Sequence, residues 1–208
     1  MLKVNGIVSP KFKRYIIYNC LSNIVCGIET TMSTYSMYTA SGFVSEKEID
    51  IYSILSNMIM KDSIGQIAFI PVIPIMTSLS KYGDLKPLKF LGINIGIFEI
   101  STLIEHSTPL VSSYLFIPVA GIANIGKIIG LTGLSSFNIG MINKISKDNI
   151  IEMSSKISIS STITFGIGSM IGLSIIKLIP NYEIRLGMII PLSILRYWLI
   201  KQSVKGLI

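Results

Sequence analysis

The sequence predicts an all-α protein, a multi-helix bundle that is embedded in a membrane or associated with one. Only 14% of its 208 residues are charged, whereas an ordinary soluble domain has about 25%. Half of the residues are apolar, and residues 107–126 and 157–176 each contain twenty residues without a formal charge. Because a helix needs about 20 apolar residues to cross the hydrocarbon core of a bilayer, these two segments are candidate spans.

The helical segments follow from alternating apolar blocks and short charged hinges. The first covers 12–42 and is followed by a charged patch at 46–50 and a short helix over 51–60. Six apolar segments come next: 63–80, 90–104, 107–126, 128–143, 157–176 and 186–200. Strands are disfavoured because the Ile-rich runs are long and lack turn signals at intervals of about 8–12 residues. We therefore expect one helical domain over 1–208.

The segment KDSIGQIAFIPVIPIMTSLS (61–80) is apolar but contains Pro71 and Pro74. Asp62 near a helix start complements the helix dipole, Gly65 permits close packing, and each proline removes a backbone donor and bends the helix. Kinks are tolerated in membrane helices when neighbours satisfy the freed carbonyls. We interpret 61–80 as a broken, packed helix that faces protein rather than lipid. A kinked helix of this kind can line a cavity, but packing against neighbouring helices is the more frequent outcome.

Glu99 lies inside the apolar segment 90–104. An acidic residue within a true membrane span is costly and is usually functional. The alternative, which we favour, is that 90–104 is a half-buried helix that shows Glu99 to solvent.

Three pairs of glycines lie four residues apart in or beside the apolar segments. Glycines with this spacing align on one helix face and let two backbones approach closely, as in the association of membrane helices. We expect close helix packing at Gly92 and Gly96, Gly126 and Gly130, and Gly168 and Gly172.

The formal net charge of +7 suits an anionic membrane surface, because the basic residues are scattered singly between apolar segments. A nucleic-acid interface would need these residues gathered on one face with aromatic side chains between them. We therefore expect a lipid bilayer as partner and no nucleic acid. The flanking positive charges are spread too evenly along the sequence to favour one membrane orientation.

Candidate catalytic and metal-binding residues are nearly absent from the sequence. Cys20 and Cys26 are six apart in a helix, so they point to different faces, and His106 is the only histidine. Neither a disulfide nor a metal site is therefore expected. Gly121–Lys127 has the glycine spacing and the lysine of a phosphate loop, but Ile128 stands where the hydroxyl is required. We predict no catalytic residue and no cofactor.

Four motifs in order resemble a known family. Lys61-Asp62 with Gly65, followed by Lys86 and Lys89, resembles its opening. The run LIEHSTPLVSSYLFIPVAGIANIGKIIG (103–130) is similar to its acidic residue, Thr-Pro-Leu, apolar helix and Ala-Asn-x-x-Lys. DNIIEMSSKISIS (148–160) and RYWLIKQSVKGL (196–207) resemble its later steps. Together these motifs resemble the root UVB sensitive family over roughly 7–207.

The sequence departs from the family pattern at three positions. Glu152 replaces an Asp, Arg196 aligns with a His, and the Arg expected after Ala-Asn-x-x-Lys falls near residues 136–137. The additional C-terminal region of many members is also missing. These departures affect a shared polar site more than they affect the fold.

The resemblance implies a mostly helical, membrane-associated protein that is linked to vitamin B6 balance. From the apolar segments we expect an integral multi-pass membrane protein; the organelle is not indicated. Two functions follow from the resemblance. The first is a non-enzymatic scaffold, carrier-like element or partner subunit, with another family member or a second copy of the chain as partner. The alternative is an enzyme or vitamer-binding protein in which Lys127 or Lys156 meets an aldehyde, since a Schiff-base lysine needs a desolvated site.

Five charged residues match the family pattern and are candidate polar or ligand positions: Lys61, Asp62, Lys127, Glu152 and Lys156. An unpaired buried ion costs several kcal/mol. We therefore predict at least one acid–base pair between helices distant in sequence, formed by Asp62 or Glu152 with Lys127 or Lys156. The alternative is that all five lie at helix ends, in water or among lipid headgroups.

Overall fold

The structure, a computed structural model, consists almost entirely of helices. It describes residues 3–4, 7–8, 10–41, 86–145 and 150–205, together with nine isolated positions between 59 and 83. In this part of the chain the strand content is one antiparallel pair, β1 (Lys3–Val4) with β2 (Ile7–Val8). The prediction of an all-α protein is confirmed.

Five long helices form the described part of the chain: α1 (Pro10–Ala40), α2 (Pro87–His106), α3 (Phe116–Ile145), α4 (Ile150–Leu178) and α5 (Tyr182–Val204). Their centres agree with the segments predicted at 12–42, 90–104, 157–176 and 186–200.

The prediction of two separate segments at 107–126 and 128–143 is wrong. Thr108–Leu110 and Ser113–Leu115 form short 3-10 turns, and α3 then runs without a break through Lys127. Pro109 has no backbone N–H to continue the helical ladder to the carbonyl of Glu105, which accepts from Thr108 Oγ1 instead. Lys127 does not interrupt α3, because its side chain is buried against other helices rather than solvated at a hinge.

Most of the segment predicted at 61–80 lies outside the described residues, including Lys61, Asp62, Gly65 and Pro71, as does the helix predicted at 51–60 apart from Ile59. The described positions between 59 and 78 are helical and exposed. Among them, Thr77 Oγ1 donates to the carbonyl of Ile73 at 3.0 Å.

Two compact units make up the chain. Unit 1 comprises Met1–Glu29 and Ser135–Ile208, and unit 2 comprises Thr30–Leu134. Helices α1 and α3 each contribute a part to both units. The prediction of a single domain over 1–208 is not decided by this division and stays a prediction.

In unit 2, α2 and α3 cross closely at glycines of α3. A Cβ at Gly130 would lie 2.7 Å from the Cβ of Phe98 and 2.9 Å from the carbonyl oxygen of Asn94, and one at Gly126 would overlap Ser101. A side chain at Gly130 would therefore push the two helices apart, and one at Gly126 would displace the side chain of Ser101. A buried apolar cluster of Met37, Phe116 and Ala120 joins the end of α1 to the start of α3.

In unit 1, α1 and α4 approach each other through glycines on both helices. A Cβ at Gly168 would overlap the backbone of Ile24, and one at Gly27 would overlap the backbone of Phe165. Tyr15 Oη donates to Asn138 Oδ1 at 2.8 Å and so ties α1 to the end of α3. Burial raises the pKa of the Tyr15 hydroxyl, which keeps it a donor.

The six predicted packing glycines differ in their surroundings. Gly126, Gly130 and Gly168 lie at helix crossings, whereas a Cβ at Gly96 would meet no atom within 4 Å. Gly92 is half-buried and Gly172 is buried. Association through glycine pairs spaced four apart stays a prediction.

Three helical segments are long and apolar enough to cross a membrane: Pro87–His106, Phe116–Asn143 and Ile151–Leu178. Only 11% of the apolar window in the last of these is buried inside the protein. The structure is therefore compatible with a membrane protein.

Candidate functional site

Helix α2 carries buried polar side chains along one side of an otherwise apolar helix. They are Asn94, Ser101, Thr102, Glu105 and His106. Positions separated by seven, eight, eleven and twelve residues lie on one side of an α-helix. In the described part of the chain, Asn94 Oδ1 and Thr102 Oγ1 are buried and have no hydrogen-bond partner.

The centre of this polar surface is an ion pair between Lys127 of α3 and Glu105 of α2. Lys127 Nζ donates to Glu105 Oε2, and the two side chains are 11% and 7% exposed. Ser33 of α1 completes the arrangement, because its Oγ donates to Glu105 Oε2 at 2.7 Å and accepts from Lys127 Nζ at 3.0 Å. We call Ser33, Glu105 and Lys127 the charged cluster.

His106, the residue after Glu105, contacts the next turn of α1. Its Nδ1 lies 2.8 Å from Ser36 Oγ and 3.2 Å from the carbonyl oxygen of Met32. Ser36 Oγ itself donates to that carbonyl at 3.0 Å. Because a carbonyl only accepts, an Nδ1 proton on His106 satisfies all three contacts. The end of α2 is thus held against α1 by two adjacent polar residues.

Packing explains why these polar groups meet. Helix α2 ends at His106, where Ser107 N donates to Leu103 O at 2.9 Å and Thr108 Oγ1 donates to Glu105 O at 2.8 Å. Gly126 lies one position before Lys127 on α3 and allows α3 to approach Ser101 of α2. The lysine stem is therefore brought to the last turn of α2.

The charged cluster offers three kinds of group within a small volume. It holds one cationic donor, one anionic acceptor and one hydroxyl that both donates and accepts. A ligand with a donor and an acceptor of its own could replace one partner in this network without leaving a buried charge unpaired.

Of the five sequence-predicted positions, the structure describes Lys127, Glu152 and Lys156, and it does not bring Lys127 together with the other two. Lys127 lies in the charged cluster, where it pairs with Glu105 and not with Glu152. Glu152 instead pairs with Lys156 at 2.6 Å on the same helix, and these side chains are 56% and 60% exposed. Lys61 and Asp62 lie outside the described residues, so a pair that involves them stays a prediction.

Glu105, Ser33 and Ser36 are the residues of the site that the sequence argument missed. A usable signal existed, because the buried polar residues Glu29, Ser33 and Ser36 of α1 follow helical spacing, as Asn94, Ser101 and Glu105 do on α2. Glu99, the other acidic residue of α2, is half-buried and precedes Glu105 by six residues.

Unit 1 contains a buried ion pair of its own. Arg196 Nη1 of α5 lies 3.7 Å from Glu29 Oε2 of α1, and both side chains are almost inaccessible. Ser193 Oγ donates to Glu29 Oε1 at 3.1 Å. This pair joins α1 to α5 at the position where the family pattern has His.

Metal and disulfide chemistry have no visible basis within the described residues. Neither Cys20 nor Cys26 forms a disulfide there. No group of three or more His, Cys, Asp or Glu side chains in the same part of the chain is arranged to hold a metal ion.

Comparison with known families identifies the chain. The family model for the vitamin B6 photo-protection and homoeostasis domain matches residues 6–208, nearly the whole chain. The chain belongs to the root UVB sensitive family. No curated protein and no solved structure matches it. The resemblance found in the sequence is thereby confirmed, and membership in the root UVB sensitive family implies a role in vitamin B6 homoeostasis.

One run of the resemblance to the root UVB sensitive family contains both charges of the cluster. Its acidic residue before Thr-Pro-Leu is Glu105, and the lysine of its Ala-Asn-x-x-Lys step is Lys127. These residues are 22 positions apart and form the ion pair between α2 and α3.

Proposed function

We propose that the chain is a non-enzymatic, multi-pass membrane protein that serves vitamin B6 homoeostasis as a carrier-like element. The observation that carries this proposal is the charged cluster of Ser33, Glu105 and Lys127, which is buried where two helices of membrane-spanning length meet. Ionisable residues inside membrane segments are costly, and they usually mark the path or site of a polar solute.

The small number of charged residues in the chain supports this interpretation. Only 14% of the residues are charged, yet two of them are buried in the cluster. Replacing a buried ion pair by apolar residues is often neutral or stabilising, so stability alone does not require Lys127 and Glu105.

Vitamin B6 compounds fit the chemistry of the cluster. They combine a basic ring nitrogen with an acidic ring hydroxyl and a hydroxymethyl, aldehyde or amine group. A carboxylate such as Glu105 can accept from the protonated ring, while Lys127 and Ser33 can donate to the ring hydroxyl. Each contact replaces one that the cluster already makes, so no charge would be left unpaired.

Uptake by vesicles tests the carrier role. The full chain is reconstituted into phospholipid vesicles, and the entry of radiolabelled pyridoxine and pyridoxal is compared with entry into protein-free vesicles. We expect faster uptake with the protein and a loss of about tenfold or more in Lys127→Met and Glu105→Gln, since each leaves a buried charge without its partner.

Lys156→Met is the matched control, because it removes an exposed lysine that pairs within its own helix. Uptake in this variant should equal that of the unmodified chain. Uptake no faster than in protein-free vesicles would contradict the carrier role and favour a scaffold or partner-subunit role.

A second candidate function is covalent vitamer binding through a lysine. The observation in its favour is that Lys127 is buried whereas Lys156 is 60% exposed, so only Lys127 of these two has a desolvated setting. Against it, the Lys127 ammonium donates to a carboxylate and a hydroxyl, and an ammonium has no lone pair for attack on an aldehyde.

Borohydride trapping separates the two candidates. Pyridoxal phosphate is mixed with the full chain in detergent, reduced, and mapped by peptide mass. Stoichiometric modification confined to Lys127 would favour the vitamer-binding function. Modification spread over exposed lysines, unchanged in Lys127→Met, would favour the non-enzymatic carrier.

A further inference from the structure

The start of α1 and the end of α5 lie side by side at one end of unit 1. Arg14 Nε donates to the carbonyl of Gln202 at 3.1 Å, and its Nη2 donates to Gln202 Oε1 at 2.9 Å. Five basic side chains gather there, which we call the basic end: Lys11, Lys13, Arg14, Lys201 and Lys205. The four lysines are exposed and Arg14 is half-buried.

Within the described residues, acidic side chains contribute little at the basic end. Residues 10–28 and 184–205 contain no Asp or Glu. Helix α4 runs parallel to α1, because Asn19 bonds Ser161 while Ile24 meets Gly168, so its first turns lie at this end too. Glu152 there is paired with Lys156 at 2.6 Å, and that pair adds no net charge.

Aromatic side chains lie next to the basic end, toward the middle of the two helices. The rings of Tyr18 and Trp198 meet edge-to-face with centroids 6.0 Å apart, and the Arg14 guanidinium lies 5.7 Å from the centroid of Tyr18. Tyr197 and Trp198 are each nearly half exposed.

Exposed aliphatic residues follow the aromatic ones on both helices. On α1 this residue is Leu21, with exposed Ile17 beside Tyr18, and on α5 they are Ile190, Ile194 and Leu195. The order of basic, aromatic and aliphatic side chains is the order found from lipid headgroups into the hydrocarbon of a bilayer. Two neighbouring helices show it in the same direction.

The opposite end of unit 1 has a different charge balance. Exposed Lys177 and Glu183 carry opposite charges there. Arg185 is buried and donates to the carbonyls of Ile179 and Pro180 at 2.7 and 2.8 Å. Among the residues of unit 1 whose exposure the structure describes, the exposed positive charge is therefore concentrated at the basic end.

We infer that the basic end binds the headgroups of anionic phospholipids and so places this end of unit 1 at the more anionic face of the membrane. The inference rests on the membrane location in the proposed function and adds a lipid class and an orientation to it. Lysine and arginine near such a surface are attracted to it over about one Debye length. The sequence alone favoured no orientation, because residues 11–14 and 201–205 are far apart in the chain and only the α1–α5 contact unites them.

Trp198 is the only tryptophan of the chain and lies beside the basic end, so its fluorescence reports on lipid at this site alone. The full chain is reconstituted into phosphatidylcholine vesicles that contain acyl-brominated phosphatidylglycerol or, at equal mole fraction, acyl-brominated phosphatidylcholine. We expect the anionic lipid to quench Trp198 about twofold more strongly or better. The ratio of quenching by the anionic lipid to quenching by the neutral lipid does not depend on the intrinsic fluorescence of Trp198, so variants can be compared directly.

The preference should disappear when the charge of the basic end is removed. In the combined variant Lys13→Gln, Lys201→Gln and Lys205→Gln, we expect a quenching ratio near one. The matched control removes three exposed lysines elsewhere, Lys86→Gln, Lys89→Gln and Lys177→Gln, and should keep the ratio of the unmodified chain. Raising the salt from about 0.01 M to 1 M shortens the Debye length from about 30 to 3 Å and should also remove the preference, without any substitution.

The results separate this inference from the proposed function. Equal quenching by both lipids in the unmodified chain, or an equal loss of preference in the control variant, would overturn the anionic-lipid site and leave the membrane location intact. Failure of either lipid to quench Trp198 would contradict the inference. If the chain also fails to co-float with the vesicles in a density gradient, the membrane location in the proposed function is contradicted as well.

Discussion

Lys127 donates to Glu105 across the crossing of α3 and α2, and Ser33 of α1 bonds both of them. Three helices thus meet at one pair of opposite charges. An ion pair in this setting stabilises the fold only as long as both members are present, because the cost of burying each charge is offset by the other.

Removing one member of the pair should therefore cost more than removing both. We expect Lys127→Met or Glu105→Gln to lower the free energy of unfolding by about 3–5 kcal/mol, since each leaves an uncompensated buried charge. The double variant should lose less than either single variant, because it leaves no buried charge unpaired. Unfolding of the purified chain in neutral detergent, followed by circular dichroism, measures all three.

The exposed pair on α4 is the control for this cycle. Glu152→Gln and Lys156→Met should each change the free energy of unfolding by no more than about 0.5 kcal/mol, because the pair is solvated and lies within one helix. Equal losses in Lys127→Met and Lys156→Met would show that the charged cluster is not buried.

Arg196 should be as sensitive to substitution as Lys127, since it faces Glu29 in the interior of unit 1. We expect Arg196→Leu to lower the free energy of unfolding by about 3–5 kcal/mol and Ser193→Ala, which removes one hydrogen bond to Glu29, by about 1 kcal/mol. Lys201→Met, an exposed change on the same helix, should stay within about 0.5 kcal/mol. The same detergent unfolding assay ranks the three, and a different order would contradict the Glu29–Arg196 contact.

Gly168 should tolerate no side chain, because a Cβ there would overlap the backbone of Ile24. We expect Gly168→Ala to lower the free energy of unfolding by about 1–3 kcal/mol through displacement of α1 from α4. Gly166→Ala is a control on the same helix, where a Cβ would meet no atom within 4 Å. Since alanine favours a helix over glycine by about 1 kcal/mol, Gly166→Ala should be neutral or stabilising. Since helix propensity favours alanine at both positions, a loss of stability in both variants would contradict the α1–α4 crossing as the specific cause of the loss at Gly168.

Apolar spacing and family motifs were enough to predict the helical class and the approximate positions of α1, α2, α4 and α5. The predicted helix boundary at Lys127 was wrong. A lysine within an apolar run is typical of a solvated break between helices, and the sequence does not show that this lysine has a buried partner. Its acid, Glu105, lies on another helix, and periodicity within one segment carries no information about which helices cross.

The same limit applies to the packing glycines. The four-residue spacing predicts that Gly126 and Gly130 share a helix face, and both lie at the α2–α3 crossing. Gly96 has equivalent spacing to Gly92 but faces open space. A glycine face forms a helix crossing only where a neighbouring helix packs against it, as the backbone of Ile24 does at Gly168.

Helix α4 provides the sharpest test of membrane insertion. Its apolar residues are largely exposed, and among them Ile163 is 58% exposed near the middle of the helix. An aspartate on the surface of a water-soluble helix changes stability by about 0.5 kcal/mol or less. At the centre of a membrane helix it opposes insertion by about 2.5–3.5 kcal/mol. We therefore expect Ile163→Asp to impair insertion of the chain.

Alkaline carbonate extraction of membranes from expressing cells measures this effect. The unmodified chain should remain in the membrane pellet, and a substantial part of Ile163→Asp should be released or degraded. Ile151→Asp is the matched control, because Ile151 is 87% exposed but lies at the helix start beside Glu152, where a carboxylate can reach water and complements the helix dipole. It should stay in the pellet. If Ile163→Asp and Ile151→Asp both behave like the unmodified chain, the exposed face of α4 is not in contact with hydrocarbon, and the interpretation of this helix as a membrane span is wrong.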